Sequence, residues 1–257
     1  MYNYWEPVHL LASTHALRTN PISAFQTWEY APQFAIRSWA YIVLNAIPTA
    51  LATRVLQGPF AFYVLRMVLA AASAAADATL YRSVVQAVNA RVGRYLLVFL
   101  LMSAGTTMAS VALLPSSFVM YTSSVGMAYA LSRASVRNPR RAFGATLAFA
   151  LGALGGWPYA LLLSLPFVYE ELFMYGADAV PETETRSWIL RRWSRAILAA
   201  IAASLLAVPI VSVDSLAYGR ATLVSLNTVL YNVLGRARGI SPELYGTEPW
   251  TYYPVNL

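Results

Sequence analysis

Two short segments carry the residues best suited to chemistry: Asn3-Tyr4-Trp5-Glu6-Pro7-Val8-His9 and Phe25-Gln26-Thr27-Trp28-Glu29-Tyr30-Ala31-Pro32. Each sets a carboxylate among flat rings, and the first adds an imidazole. Both precede a long hydrophobic body, so acid, histidine and aromatic faces stand beside a lipid-soluble scaffold. That combination suits a sugar-like substrate attached to lipid. Moving a sugar needs a carboxylate to activate the acceptor hydroxyl, and cations or hydrogen-bond donors to receive a leaving phosphate.

The acids outside the hydrophobic spans and basic loops are few: Glu6, Glu29, Asp214, Glu243 and Glu248. The matching cations are Arg18, Arg37, Arg54, Arg220, Arg236 and Arg238, with His9 and His15. Tyr2, Tyr4, Trp5, Trp28, Tyr30, Trp39 and Tyr41 form a dense aromatic group, echoed by Tyr245, Trp250, Tyr252 and Tyr253. Such rings also suit an interfacial belt. The interleaved Glu6, His9 and Glu29 tilt the reading toward sugar stacking, since a belt needs no acids between its rings. Arg66 and Asp77 fall within a hydrophobic span, roughly 16 Å apart along a helix, too far to pair. Arg66 suits a lipid-phosphate pocket or a snorkel to the headgroups. The candidate substrate-binding residues are therefore Glu6, His9, Trp28, Glu29, Arg37, Arg66, Asp214, Tyr245 and Glu248. No metal site is expected: there is no cysteine, and neither His9 nor His15 has ligand spacing to an acid.

The elements that must position these residues are membrane helices. Of 257 residues 58% are hydrophobic and only 11% charged, against about 25% charged in soluble domains; mean hydropathy is +0.53. The net charge of +7 comes entirely from arginine and is dispersed between apolar runs, which excludes the clustered cations of a nucleic-acid surface. A bilayer core takes about 20 apolar residues. Residues 59–80, 93–114, 116–132, 141–157, 158–176 and 194–213 fit six spans. Leu114-Pro115-Ser116 makes a tight hairpin, and Gly155-Gly156-Trp157-Pro158 breaks an uncharged stretch that runs from Ala142 to Tyr169, because glycine pairs and proline oppose helix.

Charge asymmetry supports that break. With it, the loops 82–94, 133–141 and 177–195 share one side and hold eleven of the eighteen arginines; by the positive-inside rule that side is cytosolic. Arginines there read as topology signals and headgroup contacts. The sequence thus predicts an all-α polytopic membrane protein in three parts. Residues 1–58 form a luminal loop with the aromatic-acidic motifs and an interfacial helix within 35–57, 59–213 form a helical bundle, and 214–257 form a luminal segment.

The motifs also resemble the endoplasmic-reticulum alpha-1,2-mannosyltransferases of glycosyltransferase family 22. The resemblance is carried by the two opening segments and Ala35-Ile36-Arg37-Ser38. It continues through Leu114-Pro115-Ser116-Ser117-Phe118-Val119-Met120-Tyr121-Thr122, Gly156-Trp157-Pro158, Asp214-Ser215 with Tyr218-Gly219, Asn227 with Val229-Leu230-Tyr231-Asn232-Val233, and Leu244-Tyr245-Gly246-Thr247-Glu248-Pro249-Trp250. It implies a GT-C fold in the endoplasmic-reticulum membrane and transfer of mannose from dolichyl-phosphate mannose to a dolichyl-diphosphate-linked oligosaccharide, with an alpha-1,2 bond and inversion at the sugar. The donor is then a substrate, and no cofactor is implied. Family members carry an acidic pair just ahead of the Asn-Tyr-Trp-Glu-Pro text, its aspartate taken as catalytic base. Here that text starts at Asn3, which puts the pair upstream of Met1. The resemblance therefore implies an incomplete, inactive fragment that lacks its catalytic residues. The stretch 12–24 shares no text with the family's short linker. A non-catalytic lipid-carrier or scaffold that kept the fold is the alternative. A transporter fits less well, because the polar groups do not cluster at the bilayer midplane.

Overall fold

The computed structural model describes residues 2–12, 27–56, 59–133, 135, 138–174, 178, 180–234, 249, 251–252 and 254. Its regular elements are all helical: α1 (Tyr2–Ala12), α2 (Trp39–Thr53), α3 (Phe60–Ala87), α4 (Ala90–Met102), α5 (Ala104–Ser110), α6 (Pro115–Ala130), α7 (Pro139–Gly155), α8 (Leu165–Phe173), α9 (Thr185–Leu205), α10 (Ala207–Tyr218) and α11 (Val224–Leu234), with 3-10 turns at Trp28–Tyr30, Pro158–Ser164 and Glu182–Glu184.

Among the described residues two helical stretches, Phe60–Ala87 and Glu182–Tyr218, are long and apolar enough to cross a membrane. A third is reached if α4 and α5 are one span. The expected single span over 93–114 is broken, because α4 and α5 meet at a 69° bend. The bend sits at Ser103, whose hydroxyl accepts from the Thr106 amide and restarts the helix as an N-cap; a hydroxyl offered to free amides is what ends one helix and begins the next. The span expected over 158–176 is likewise two pieces, a 3-10 stretch followed by α8. Pro158 and Pro166 each lack the amide that a continuous α-helix would use. The last span begins earlier than expected, since α9 opens at Thr185 and carries Arg186, Arg191, Arg192 and Arg195 on a helix where a loop over 177–195 was expected.

The hairpin at Leu114–Ser116 and the break at Gly155–Pro158 are both present. Between them α6 and α7 run antiparallel at close range. A Cβ on Gly152 would come within 2.4 Å of the Thr122 hydroxyl, so any larger residue there would force that side chain to shift. Small residues at helix contacts are the usual means of packing in lipid, where apolar burial drives little. The outward faces stay apolar: Phe99, Leu101 and Met102 on α4, and Leu198 and Ile201 on α9, are all more than half exposed.

The bundle has two distinct ends. At one, Arg141 from the start of α7 donates to the carbonyls of Ala130 and Ser132 at the end of α6 and pairs with Glu170 and Glu171 of α8. Arg195 of α9 also pairs with Glu171, while Arg192 bonds the carbonyls of Met174 and Glu170 and lies over the Trp188 ring. Arg141, Glu171 and Arg192 are at most 2% exposed. Reading these three arginines as headgroup contacts is therefore corrected. The carboxylates of Glu170 and Glu171 supply local counter-charge and draw them inward. At the opposite end, the 114–115 turn, the 156–158 turn, the end of α10 and α11 meet the N-terminal segments. The larger core cluster lies there, with Tyr4, Val8, Tyr30, Trp39, Tyr121 and Tyr218 among its members.

Candidate functional site

The site at this end is built around Arg37. Its loop leaves the 3-10 turn of Trp28–Tyr30, passes Ala35 at φ 44° and enters α2 at Trp39. The guanidinium pairs with Glu29 at 2.6 Å, with side-chain exposures of only 22% and 13%. Asn3 of α1 donates to the other Glu29 oxygen at 3.2 Å. Two rings flank the cation, Tyr4 with its centroid at 5.5 Å and Trp157 at 5.9 Å. A partly desolvated arginine between aromatic faces gains on both sides, and the Arg37 Nε is buried without a partner.

The helices explain why these groups meet. On α1, Tyr4, Val8 and Ala12 are buried at four-residue spacing, so packing that stripe brings the Tyr4 ring inward. Trp157 follows Gly156, where a Cβ would fall within 2.9 Å of the carbonyl oxygens of Gly152 and Pro115; glycine there lets the turn close against the start of α6. Ser225 of α11 reaches the Leu154 carbonyl at 3.2 Å. Tyr4, Arg37, Ser38, Gly156, Trp157 and Ser225 thus line one partly open cleft.

Electrostatics hold Arg37 and Tyr4 of the cleft in fixed states. Burial pulls the Arg37 guanidinium down, but the Glu29 hydrogen bond and the neighbouring Tyr4 more than offset it, so the group ends above its ordinary value. Burial pushes the Tyr4 phenol up to about 12, although the Arg37 charge acts the other way. The cleft therefore presents a permanent cation, paired with Glu29, and a neutral phenol. That set can bind an anionic oxygen and stack a flat or sugar-like face. Among the described residues no three His, Asp or Glu side chains come close enough to share a metal ion.

The other expected residues take separate places. Glu6 and His9 are on the exposed side of α1. Trp5 stacks against His9 and against Phe62 of α3, and Arg66 lies 5.7 Å from the Phe62 ring; this gathers Arg66 and His9 into a second group beside the first. Trp28 is 40% exposed and meets Phe34 and Tyr231. Asp214 is 1% exposed and turned to the loop, accepting from the Ser38 hydroxyl and the Ala40 amide at 3.0 Å. Met1, the stretch 13–24, Tyr245 and Glu248 lie outside the described residues. The expectation that the family's acidic pair falls upstream of Met1 therefore meets no structural observation, and no residue of this chain is assigned the part of catalytic base. Sequence reasoning did not single out Tyr4 and Trp157 as the walls of the Arg37 site. The available signal was their place inside the Asn3–His9 and Gly156-Trp157-Pro158 motifs.

No solved structure matches the chain. Among curated proteins it is similar to the alpha-1,2-mannosyltransferase ALG9 of Mus musculus, 38% identical over 99% of this chain and 37% of that protein. The alpha-1,2-mannosyltransferase alg9 of Schizosaccharomyces pombe is 38% identical over 100% of this chain and 41% of its own length, and that of Saccharomyces cerevisiae 30% identical over 100% and 43%. The chain spans about two fifths of the length of these relatives. The profile of the Alg9-like mannosyltransferase family matches residues 1–257 from end to end, and the chain belongs to that family.

Proposed function

We propose that this chain is part of an alpha-1,2-mannosyltransferase of the endoplasmic-reticulum membrane. Its substrates are dolichyl-phosphate mannose and a dolichyl-diphosphate-linked oligosaccharide. The acceptor hydroxyl attacks C1 of the mannose, the bond from C1 to the phosphate oxygen breaks, and the leaving dolichyl phosphate carries the electron pair. A carboxylate takes the hydroxyl proton; family resemblance gives that part to the acidic pair ahead of the Asn3–His9 motif. The observation that carries the reading is the Arg37 guanidinium, held between Tyr4 and Trp157 in a partly open cleft. A cation already oriented by Glu29 holds the anionic phosphate of the donor, which is charged before transfer as well as during it.

In this reading six crossings, made by α3, the bent α4–α5 pair, α6, α7, the 3-10 stretch with α8, and α9 with α10, carry 59–213 through the bilayer, and the segments 1–58 and 214–257 share the luminal side. α2 lies at the luminal interface, its exposed Leu44, Ile47 and Leu51 facing lipid. The test is Arg37→Ala in the full-length protein, expressed in cells that lack their own enzyme of this type. The variant is expected to leave undermannosylated lipid-linked oligosaccharide at normal protein level, with transfer at least tenfold lower. Complete oligosaccharide at the wild-type rate would overturn the role of Arg37 and favour a lipid-carrier or scaffold.

A further inference from the structure

The loop that carries Arg37 is held by residues far from it in sequence. From Pro32 to Ala40 its backbone is gripped by side chains of α10, α11 and the turn between them. The Arg220 guanidinium donates to the Pro32 carbonyl. Asn227 donates to Ala35 at 3.3 Å, Thr228 to Ile36 at 3.1 Å and the Tyr218 hydroxyl to Arg37 at 2.6 Å. Three consecutive carbonyls are thus each taken by a different side chain. Asp214, one turn before Tyr218 on α10, receives the Ser38 hydroxyl and the Ala40 amide; it supplies the acceptor for a free amide at the start of α2, where Ser38 makes no side-chain cap of its own.

This grip has strain to oppose. Ala35 sits at φ 44°, in the left-handed region where a Cβ crowds the backbone. Such a residue persists when its surroundings over-determine it, and strained positions gather at functional sites. Ala35 is fully buried, and its carbonyl is one of the three that are held. With a gripping side chain removed, the loop relaxes toward ordinary dihedrals, and Arg37, two residues on, moves with it.

We propose that Tyr218, seconded by Asn227 and Thr228, is a positioning residue: by holding the strained 35–37 backbone it sets where the Arg37 guanidinium stands between Tyr4 and Trp157, and so sets the site's affinity for the phosphate of its donor. The proposal rests on the reading of this cleft as the donor site. Tyr218 touches no reacting atom in this account and acts only through Arg37.

The experiment uses the full-length protein with Tyr218→Phe, Arg37→Ala and the double variant, with dolichyl-phosphate mannose as donor. Loss of one hydroxyl leaves the buried ring in place. Tyr218→Phe is expected to raise the donor KM about five- to tenfold with kcat within about twofold, the pattern of lost binding that is equal in ground and transition states. In the Arg37→Ala background it is expected to change KM no further, since residues acting as one unit are not additive. A lowered kcat with KM unchanged, or a full additional KM increase in the double variant, would overturn the proposal and leave Tyr218 a packing residue. Amide hydrogen exchange supplies an independent reading: residues 36–40 are expected to exchange faster in Tyr218→Phe, with α3 unaltered, and unchanged exchange there would refute the clamp whatever the activity. A wild-type protein that transfers no mannose, yet shows this exchange difference, would sink the donor-site reading and leave the clamp standing.

Discussion

At the scale of single residues, the cleft separates the face of an aromatic ring from its polar tip. Tyr4 lies with Arg37 at 5.5 Å from its centroid, and its phenol is pushed up to about 12 by burial. A raised phenol pKa means that the neutral form persists up to that pH, so Tyr4 does not titrate across the working range of an enzyme. Tyr4→Phe keeps the ring that faces the cation. It is expected to change transfer less than about threefold and to leave the activity profile between pH 6 and 9 unaltered. Tyr4→Ala removes the face and is expected to cost about 1–2 kcal/mol of Arg37 stabilisation, seen as a donor KM raised about five- to thirtyfold. An alkaline limb that disappears in Tyr4→Phe would show that the hydroxyl itself takes part. Glu29 and Arg37 were legible as site candidates because acids and cations outside the apolar spans are so few. Their pairing was not, because a separation of eight positions that starts in a 3-10 turn and passes a left-handed alanine follows no periodic rule.

At the scale of elements, breaks were easier to read than spans. Gly156 and Pro158 oppose helix by their own chemistry, and α7 ends there as expected. The bend at Ser103 was missed because Tyr95–Leu114 is uncharged, and charge was the signal used to end a span. A serine able to cap its own chain was the available clue. The arginines near the bundle's other end were missed for the converse reason. Arg141, Arg192 and Arg195 fit a rule for exposed loops, yet Glu170 and Glu171 at the end of α8 convert them into a buried network. Removing one partner from a buried pair costs about 3–5 kcal/mol, because the other charge is left uncompensated. Glu171, 2% exposed and bonded to both Arg141 and Arg195, meets that condition. The Glu170 side chain, 41% exposed, does not, and exposed pairs contribute about 0–1 kcal/mol. Glu171→Gln is therefore expected to lower the thermal unfolding midpoint in detergent markedly, with Glu170→Gln within a degree or two of wild type. Equal effects from both would mean that the network is wetter than its burial indicates.

At the scale of the whole molecule, the two ends of the bundle differ in the groups they gather. One end gathers the arginine network of α7 to α9, together with the exposed Arg82, Arg91 and Arg94 around the α3–α4 turn. The other gathers the Arg37 cleft, the Pro115 and Gly156 turns and α11. An odd number of crossings between α3 and α10 would separate Arg37 from Tyr218, yet these two are bonded at 2.6 Å. Under the topology proposed above, with both residues outside the bilayer, the contact fits the even number of crossings between residues 59 and 213 that the arginine count suggests from sequence. The sequence contains no cysteine, so single cysteines can report sides without background. Val88→Cys lies in the exposed α3–α4 turn and Ala221→Cys in the exposed turn between α10 and α11. In sealed microsomes an impermeant thiol reagent is expected to label Val88→Cys from the cytosolic side. Ala221→Cys is expected to react only after the membrane is opened. Labelling of both from the cytosolic side would refute this topology and, with it, a luminal place for the Arg37 cleft. Reversed labelling would keep the two sites on opposite sides and overturn only the positive-inside assignment, because the arginine bias alone is the argument for which side is cytosolic.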